Sequence, residues 1–182
     1  RGKMIKKLIT LGLSLFTFIA TMTPIYAVDN SASVDISGEY GIVIDQDNGQ
    51  ILYNKKAKEK MYPASITKVM TALLTLEHGN MDDEITLKHD INLTENGAVI
   101  STLTKGDTVT VGQVFHTMLI KSANDCAVIL AEYVAGSESK FIDMMNAKAK
   151  ELGATHTHFV NPNGLHDNNH YTTAYDLYLI FK

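Results

Sequence analysis

The apolar positions of this chain change period along its length, and the changes mark its elements. Gly38 to Asp45 reads as a strand centred on Ile42, Val43 and Ile44. Asp47-Asn48-Gly49 is a hairpin turn signal, so Gln50 to Asn54 returns as a second strand. After the basic connector Lys55 to Tyr62 the period becomes helical. Ile66, Val69, Met70, Leu73 and Leu74 share one face of a helix that enters at Pro63-Ala64 and stops at His78-Gly79. Short extended pieces around Ile85-Thr86-Leu87 and Thr108 to Val111 follow, with no pairing assigned to either. Thr110 and Gln113 make a capping box. Behind it Val111, Val114, Phe115, Met118 and Leu119 give a helical face that breaks at Lys121-Ser122-Ala123-Asn124. Cys126, Ile129, Leu130, Tyr133 and Val134 define the next helix, stopped by Gly136. Phe141, Met144, Met145, Ala149 and Leu152 define another, from about Glu138 to Leu152, with Gly153 as its stop. Ala154 to Tyr171 reads as a structured loop, dense in turn formers at Asn161-Pro162-Asn163-Gly164. Thr173 caps a last helix through Asp176, Leu177, Ile180 and Phe181. Two strands followed by a run of helices is an α+β order.

The first 27 residues are set apart from this pattern. Arg1, Lys3, Lys6 and Lys7 precede an apolar run from Leu8 to Ala20, and small and polar residues lead on to Ala27. That is the layout of a secretory signal peptide, with an uncleaved N-terminal anchor as the alternative, and it predicts an exported protein. The run is shorter than the roughly 20 residues of a membrane span. Residues 28–37 are polar and small, a flexible lead-in, so the folded domain is expected over 38–182.

Composition then narrows the partners. The 182 residues are 45% hydrophobic and 20% charged, enough for one domain with a core. All four bases named above lie in the leader, which holds no acid. The remainder therefore carries 20 acids against 12 bases, a net charge of about −8. A surface that acidic argues against a nucleic-acid partner. One cysteine, Cys126, cannot form an internal disulfide and reads as a small core residue.

Two short motifs carry chemistry. In Ser65-Ile66-Thr67-Lys68, three residues is nearly one helical turn, so Ser65 and Lys68 share a face. A lysine there at the edge of an apolar stripe is partly desolvated. Its pKa falls from about 10.4, and a neutral amine beside a hydroxyl can take its proton. The helix start also offers backbone N–H groups to a developing oxyanion. Ser122-Ala123-Asn124 lies at a break between helices, where side chains reach a cleft. Each motif also has a plain alternative as a helix cap: Ser65 in the first, Asn124 or Asp125 in the second. Ser-x-x-Lys together with Ser-x-Asn is the pairing found in class A β-lactamases and penicillin-binding proteins.

The segment Tyr62-Pro63-Ala64-Ser65-Ile66-Thr67-Lys68-Val69-Met70-Thr71-Ala72-Leu73 closely resembles the nucleophile segment of serine-type D-alanyl-D-alanine carboxypeptidases, the low-molecular-mass penicillin-binding proteins. Ser122-Ala123-Asn124-Asp125-Cys126-Ala127 is similar to their second motif. Phe141 through Met145-Asn146, Leu152-Gly153, His156 to Phe159, Asn161 to Leu165 and Tyr171 to Ala174 extend the likeness across roughly 37–182. The resemblance implies an α+β fold of the β-lactamase/transpeptidase type: a helical cluster packed on an antiparallel sheet, here with only the first two sheet strands. It implies that Ser65 attacks the bond between two D-alanines, with Lys68 as general base. Ser122 relays a proton to the leaving D-alanine. Asn124 orients Lys68 and binds the substrate backbone. The implied partners are peptidoglycan stem peptides ending in D-Ala-D-Ala and β-lactam antibiotics, with no cofactor and no metal.

Departures from the family pattern qualify this. Its third motif, Lys-Thr-Gly on a sheet strand, is absent, and Lys105-Gly106-Asp107 is in the wrong order and place. The chain is therefore expected to be a C-terminally truncated piece, weak or inactive on its own, with any C-terminal membrane attachment in a missing segment. At Cys126 the family more often has Ala. His156-x-His158 suggests a metal only weakly, for want of a third ligand. A serine β-lactamase is the nearest rival, but a class A enzyme uses a loop glutamate and Ala154 to Tyr171 contains none. A non-catalytic fragment is the rival from another class.

Overall fold

The computed structural model describes residues 36–93 and 97–182. The predicted signal peptide and nearly all of the lead-in lie outside the described residues. Strands β1 (Gly41–Ile44) and β2 (Ile51–Lys55) pair antiparallel, Gly41 opposite Lys55 and Val43 opposite Tyr53, with a register shift between Val43 and Ile44. The turn between them is tied by Asp45, whose carboxylate accepts from the Asp47 backbone N–H at 2.9 Å and from the Asn48 amide at 2.7 Å. The two extended pieces that sequence left unpaired are β3 (Glu84–Thr86) and β4 (Thr108–Thr110), antiparallel to each other in a separate sheet.

Among the described residues five α-helices make the body: α1 (Lys68–His78), α2 (Val111–Lys121), α3 (Asn124–Ala135), α4 (Glu138–Glu151) and α5 (Ala174–Phe181). Their ends follow the local chemistry. Thr110 accepts from the Gln113 backbone N–H while the Gln113 side chain accepts from the Thr110 N–H, a complete capping box. Ser137 and Thr173 cap α4 and α5 through their side chains. Gly136 ends α3 in the left-handed conformation.

Helix α3 is central. Every residue from Asn124 to Ala131 is buried, because it is covered on all sides rather than along one stripe. Cys126, Ala127, Ile129 and Leu130 join Val111, Val114 and Met118 of α2 in one apolar cluster. Ala131 joins a second cluster with Met70 and Leu74 of α1 and Phe141 and Met145 of α4. Periodicity misplaces three side chains. Ile66, Leu119 and Phe181 are 41%, 47% and 59% exposed. Ile66 leaves the apolar face because its segment is a 3-10 turn (Ala64–Thr67), whose tighter winding rotates it away from the α1 stripe. Among the described residues no helix is long and apolar enough to cross a membrane.

Candidate active site

The 3-10 turn presents Ser65 to solvent and then turns Lys68 inward. Lys68 is 3% exposed, an extreme position for a lysine. Its Nζ lies 3.3 Å from Ser65 Oγ, 2.8 Å from Asn124 Oδ1 and 2.6 Å from the Asn163 carbonyl oxygen. Ser122 Oγ donates to Ser65 Oγ at 3.0 Å. The four residues singled out in the sequence thus converge around one hydroxyl, although the two motifs belong to different helix junctions.

Burial sets the electrostatics. Desolvation of the ammonium lowers the Lys68 pKa from 10.5 to about 8, and no carboxylate offsets it. The protonated amine can donate three hydrogen bonds, and all three directions are used. Asn124 Oδ1 and the Asn163 carbonyl are acceptors only. When Lys68 deprotonates, its two remaining hydrogens stay on those oxygens and its lone pair faces Ser65 Oγ. The neutral amine would then face a hydroxyl whose proton it can accept.

Neither motif is a simple cap. Ser65 makes no side-chain cap of its helix, and the N-cap of α3 is Ala123. Asn124 reaches Lys68 and also donates its Nδ2 to the Val99 carbonyl at 3.0 Å, so one of its two amide hydrogens is already engaged. Asp125 is turned to Ser101. The backbone is held in unusual conformations at both junctions. Three described residues other than glycine have positive φ, and two of them are Ala64, at 48°, and Ser122, at 57°.

The loop before α5 closes the site from the other side. Asn161 Oδ1 accepts from the Gly164 N–H and its Nδ2 donates to the Leu165 carbonyl, folding the turn on itself. The turn then offers two carbonyls to the α1 segment: Pro162 to Thr71 Oγ1 at 2.6 Å and Asn163 to Lys68. Gly164 has φ +88°, and a Cβ there would collide with the Ala64 carbonyl. Below it His170, 2% exposed, sits 2.7 Å by Nε2 from Thr67 Oγ1, while its Nδ1 accepts from the Val160 N–H at 3.1 Å. The turn-former density signalled a structured loop. Nothing local could show that its carbonyls contact Lys68, because backbone oxygens leave no residue-type signature.

The two histidines weighed as metal ligands part company. His156 Nδ1 lies 3.7 Å from Asp176, whereas His158 Nδ1 pairs with the Asn169 carbonyl and its ring stacks on Tyr171. Cys126 is fully buried, and desolvation pushes its thiol up to about 12, so it is not a nucleophile.

An exposed serine whose Oγ lies within hydrogen-bond reach of a buried lysine amine and of a second serine hydroxyl, on an α+β frame, is an arrangement that can support serine acyl transfer. The chain belongs to the D-alanyl-D-alanine carboxypeptidase family, whose model matches residues 27–182. It is 34% identical over 176 residues to the D-alanyl-D-alanine carboxypeptidase DacF of Bacillus subtilis, covering 94% of this chain and 45% of that protein. The D-alanyl-D-alanine carboxypeptidase DacD from Francisella tularensis superposes with a TM-score of 0.74 at 32% identity, over 82% of this chain and 37% of that one. Penicillin-binding protein D2 from Listeria monocytogenes, solved in its cefotaxime-bound form, gives 0.71 at 31% identity, over 81% of this chain and 62% of that one. The chain spans about half the length of the curated relatives it matches. The fold is accordingly that of the penicillin-binding, transpeptidase-like proteins, seen here through its helical cluster and the first hairpin.

Proposed function

We propose that this chain carries the nucleophile, base and proton relay of a serine-type D-alanyl-D-alanine carboxypeptidase acting on peptidoglycan stem peptides outside the cytoplasmic membrane. Support comes from one observation above all: Ser65 Oγ lies between Lys68 Nζ, a buried amine with its pKa near 8, and Ser122 Oγ. Export by the N-terminal segment and attachment to the membrane through a further segment belong to the same proposal.

In the proposed reaction neutral Lys68 takes the Ser65 proton as Oγ adds to the carbonyl of the terminal D-Ala-D-Ala bond. The Ser65 backbone N–H is one donor to the tetrahedral oxyanion. The proton passes from Lys68 through Ser122 to the departing amine, the C–N bond breaks, and D-alanine leaves. Water adds to the Ser65 ester in the same manner, restoring the hydroxyl and releasing the shortened peptide. Asn124 keeps Lys68 aligned throughout. A β-lactam would acylate Ser65 by the same addition, with the ring amide as its leaving group.

Labelling the whole natural protein with a fluorescent penicillin tests this. A covalent label that Ser65→Ala removes is the expected outcome, and equal labelling of that variant overturns the assignment. Steady turnover of a chromogenic β-lactam would instead place the protein with the β-lactamases.

A further inference from the structure

Asn124 is itself held by a residue that touches nothing reactive. Asp125, the next residue, is 4% exposed and carries a carboxylate at the N-terminus of α3. Its Oδ1 and Oδ2 accept from the Ser101 backbone N–H at 2.9 and 3.0 Å, and Oδ2 also accepts from Ser101 Oγ. Ser101 Oγ in turn accepts from the Leu103 N–H at 3.1 Å. One carboxylate therefore clamps the strap Val99–Leu103 against α3.

The strap has a single polar product on the site side. The Val99 carbonyl accepts both from the Asn124 backbone N–H, at 2.8 Å, and from Asn124 Nδ2, at 3.0 Å. A carbonyl oxygen can only accept. It therefore forces the Asn124 amide to present Nδ2 to the strap and Oδ1 to Lys68. A flipped amide would set oxygen against oxygen at Val99 and N–H against the ammonium at Lys68. Val99 and Ile100 are 49% and 58% exposed, so the site end of the strap is held by hydrogen bonds, while Leu103 at its far end packs against the α2–α3 cluster.

The geometry points to Asp125 as a positioning residue for the proposed acyl transfer: through Ser101 and the Val99 carbonyl it fixes the amide orientation of Asn124, and so the direction in which Lys68 faces Ser65. The inference rests on the functional reading above for its meaning, but the clamp can be measured without any reaction. Asp125→Ala removes the clamp, whereas Asp125→Asn keeps one acceptor for the Ser101 N–H. Both remove the same negative charge, so the difference between them isolates the clamp from the field.

The experiment follows two nuclear magnetic resonance signals in wild type, D125A and D125N. These are exchange of the Asn124 side-chain amide protons and titration of Lys68 through its Cε. In D125A, amide exchange is expected to accelerate at least about tenfold. The Lys68 midpoint should fall about one unit below that of D125N, the size of one lost hydrogen bond to a charged group. D125N should stay near wild type in amide exchange. Identical amide exchange and identical Lys68 midpoints in the two variants overturn the proposal. Ser101→Ala keeps the charge and removes only the hydroxyl's part in the clamp. It carries the same test, with smaller shifts in the same direction, should D125A not fold. Acylation by a fluorescent penicillin is read in parallel. A wild type with the expected amide and lysine behaviour but no Ser65 acylation defeats the functional reading and leaves the clamp standing.

Discussion

Lys68 Nζ donates to the backbone carbonyl of Asn163 at 2.6 Å, joining the first turn of α1 to a loop 95 residues later. The bond is short, and both residues are buried, at 3% and 2% exposure. It brings the Asn161–Leu165 turn into direct contact with the proposed base. Gly164 keeps that turn close enough. In Gly164→Ala a side chain enters at φ +88° against the Ala64 carbonyl and Thr67 Oγ1. The expected result is a loss of about 1–3 kcal/mol in denaturant unfolding, together with slower Ser65 acylation, since both partners are backbone or site groups.

Acylation should follow the neutral form of Lys68. Burial lowers its pKa to about 8, so the rate constant should rise about tenfold per pH unit well below that value and level off above it. Stopped-flow acylation by a β-lactam between pH 5.5 and 9.5 measures this. A rise that continues undiminished to pH 9.5 would mean that the lysine titrates as if in water. Lys68→Ala should slow acylation by roughly 10²–10⁴-fold, the usual range for a lost general base.

His170 predicts an acid-sensitive fold. Its Nδ1 accepts from the Val160 N–H, so Nε2 bears the hydrogen donated to Thr67. Protonation would set two N–H groups against each other. Burial lowers its pKa from 6.5 to about 4. The folded state thus binds fewer protons than the unfolded chain between those values. The stabilisation is full above about pH 6.5 and is lost as pH falls towards 4, in total about 3 kcal/mol. Denaturant midpoints of wild type and His170→Gln at pH 7 and pH 4.5 should differ in their pH dependence by an amount of that order. Parallel pH dependence in the two would remove His170 as the cause.

Cys126 should be silent until the protein unfolds. It is fully buried and its thiolate is strongly disfavoured. A chromogenic disulfide reagent at pH 8 should react with no thiol in the native state and with one in denaturant. Prompt native reaction would show that α3 opens on the timescale of the assay.

Much of the frame was legible because it rests on local chemistry. The capping box at Thr110 and Gln113, the break at Lys121 to Asn124 and the stops at Gly136 and Gly153 are written in single residues and short spacings. What stayed hidden is non-local. Periodicity gave α3 one apolar face, yet Ala127 and Ala131 are buried as deeply as Cys126, since small residues carry little hydrophobic signal. The pairing of β3 with β4 spans a long segment with turn formers of its own at Asn96-Gly97 and Lys105-Gly106-Asp107, so no short hairpin signal joins the two strands. At the site, residue type pointed to Ser65, Lys68, Ser122 and Asn124. The oxygens that orient them belong to the backbone of Val99 and Asn163, where any residue type could supply the same atom. Ile66 was misread because a 3-10 turn precedes the α-helix, and the winding of one turn cannot be seen in a hydrophobic stripe.

The all-round burial of α3 ties the fate of the two apolar clusters together. The α2 cluster takes Cys126, Ala127, Ile129 and Leu130 from α3 and the α1–α4 cluster takes Ala131, so loss of this one helix would expose both clusters. Asn124 and Asp125 stand at the head of that shared trunk. The bond network around Ser65 is anchored at the head of a helix buried from Asn124 to Ala131, and backbone amides there are expected to exchange with solvent last.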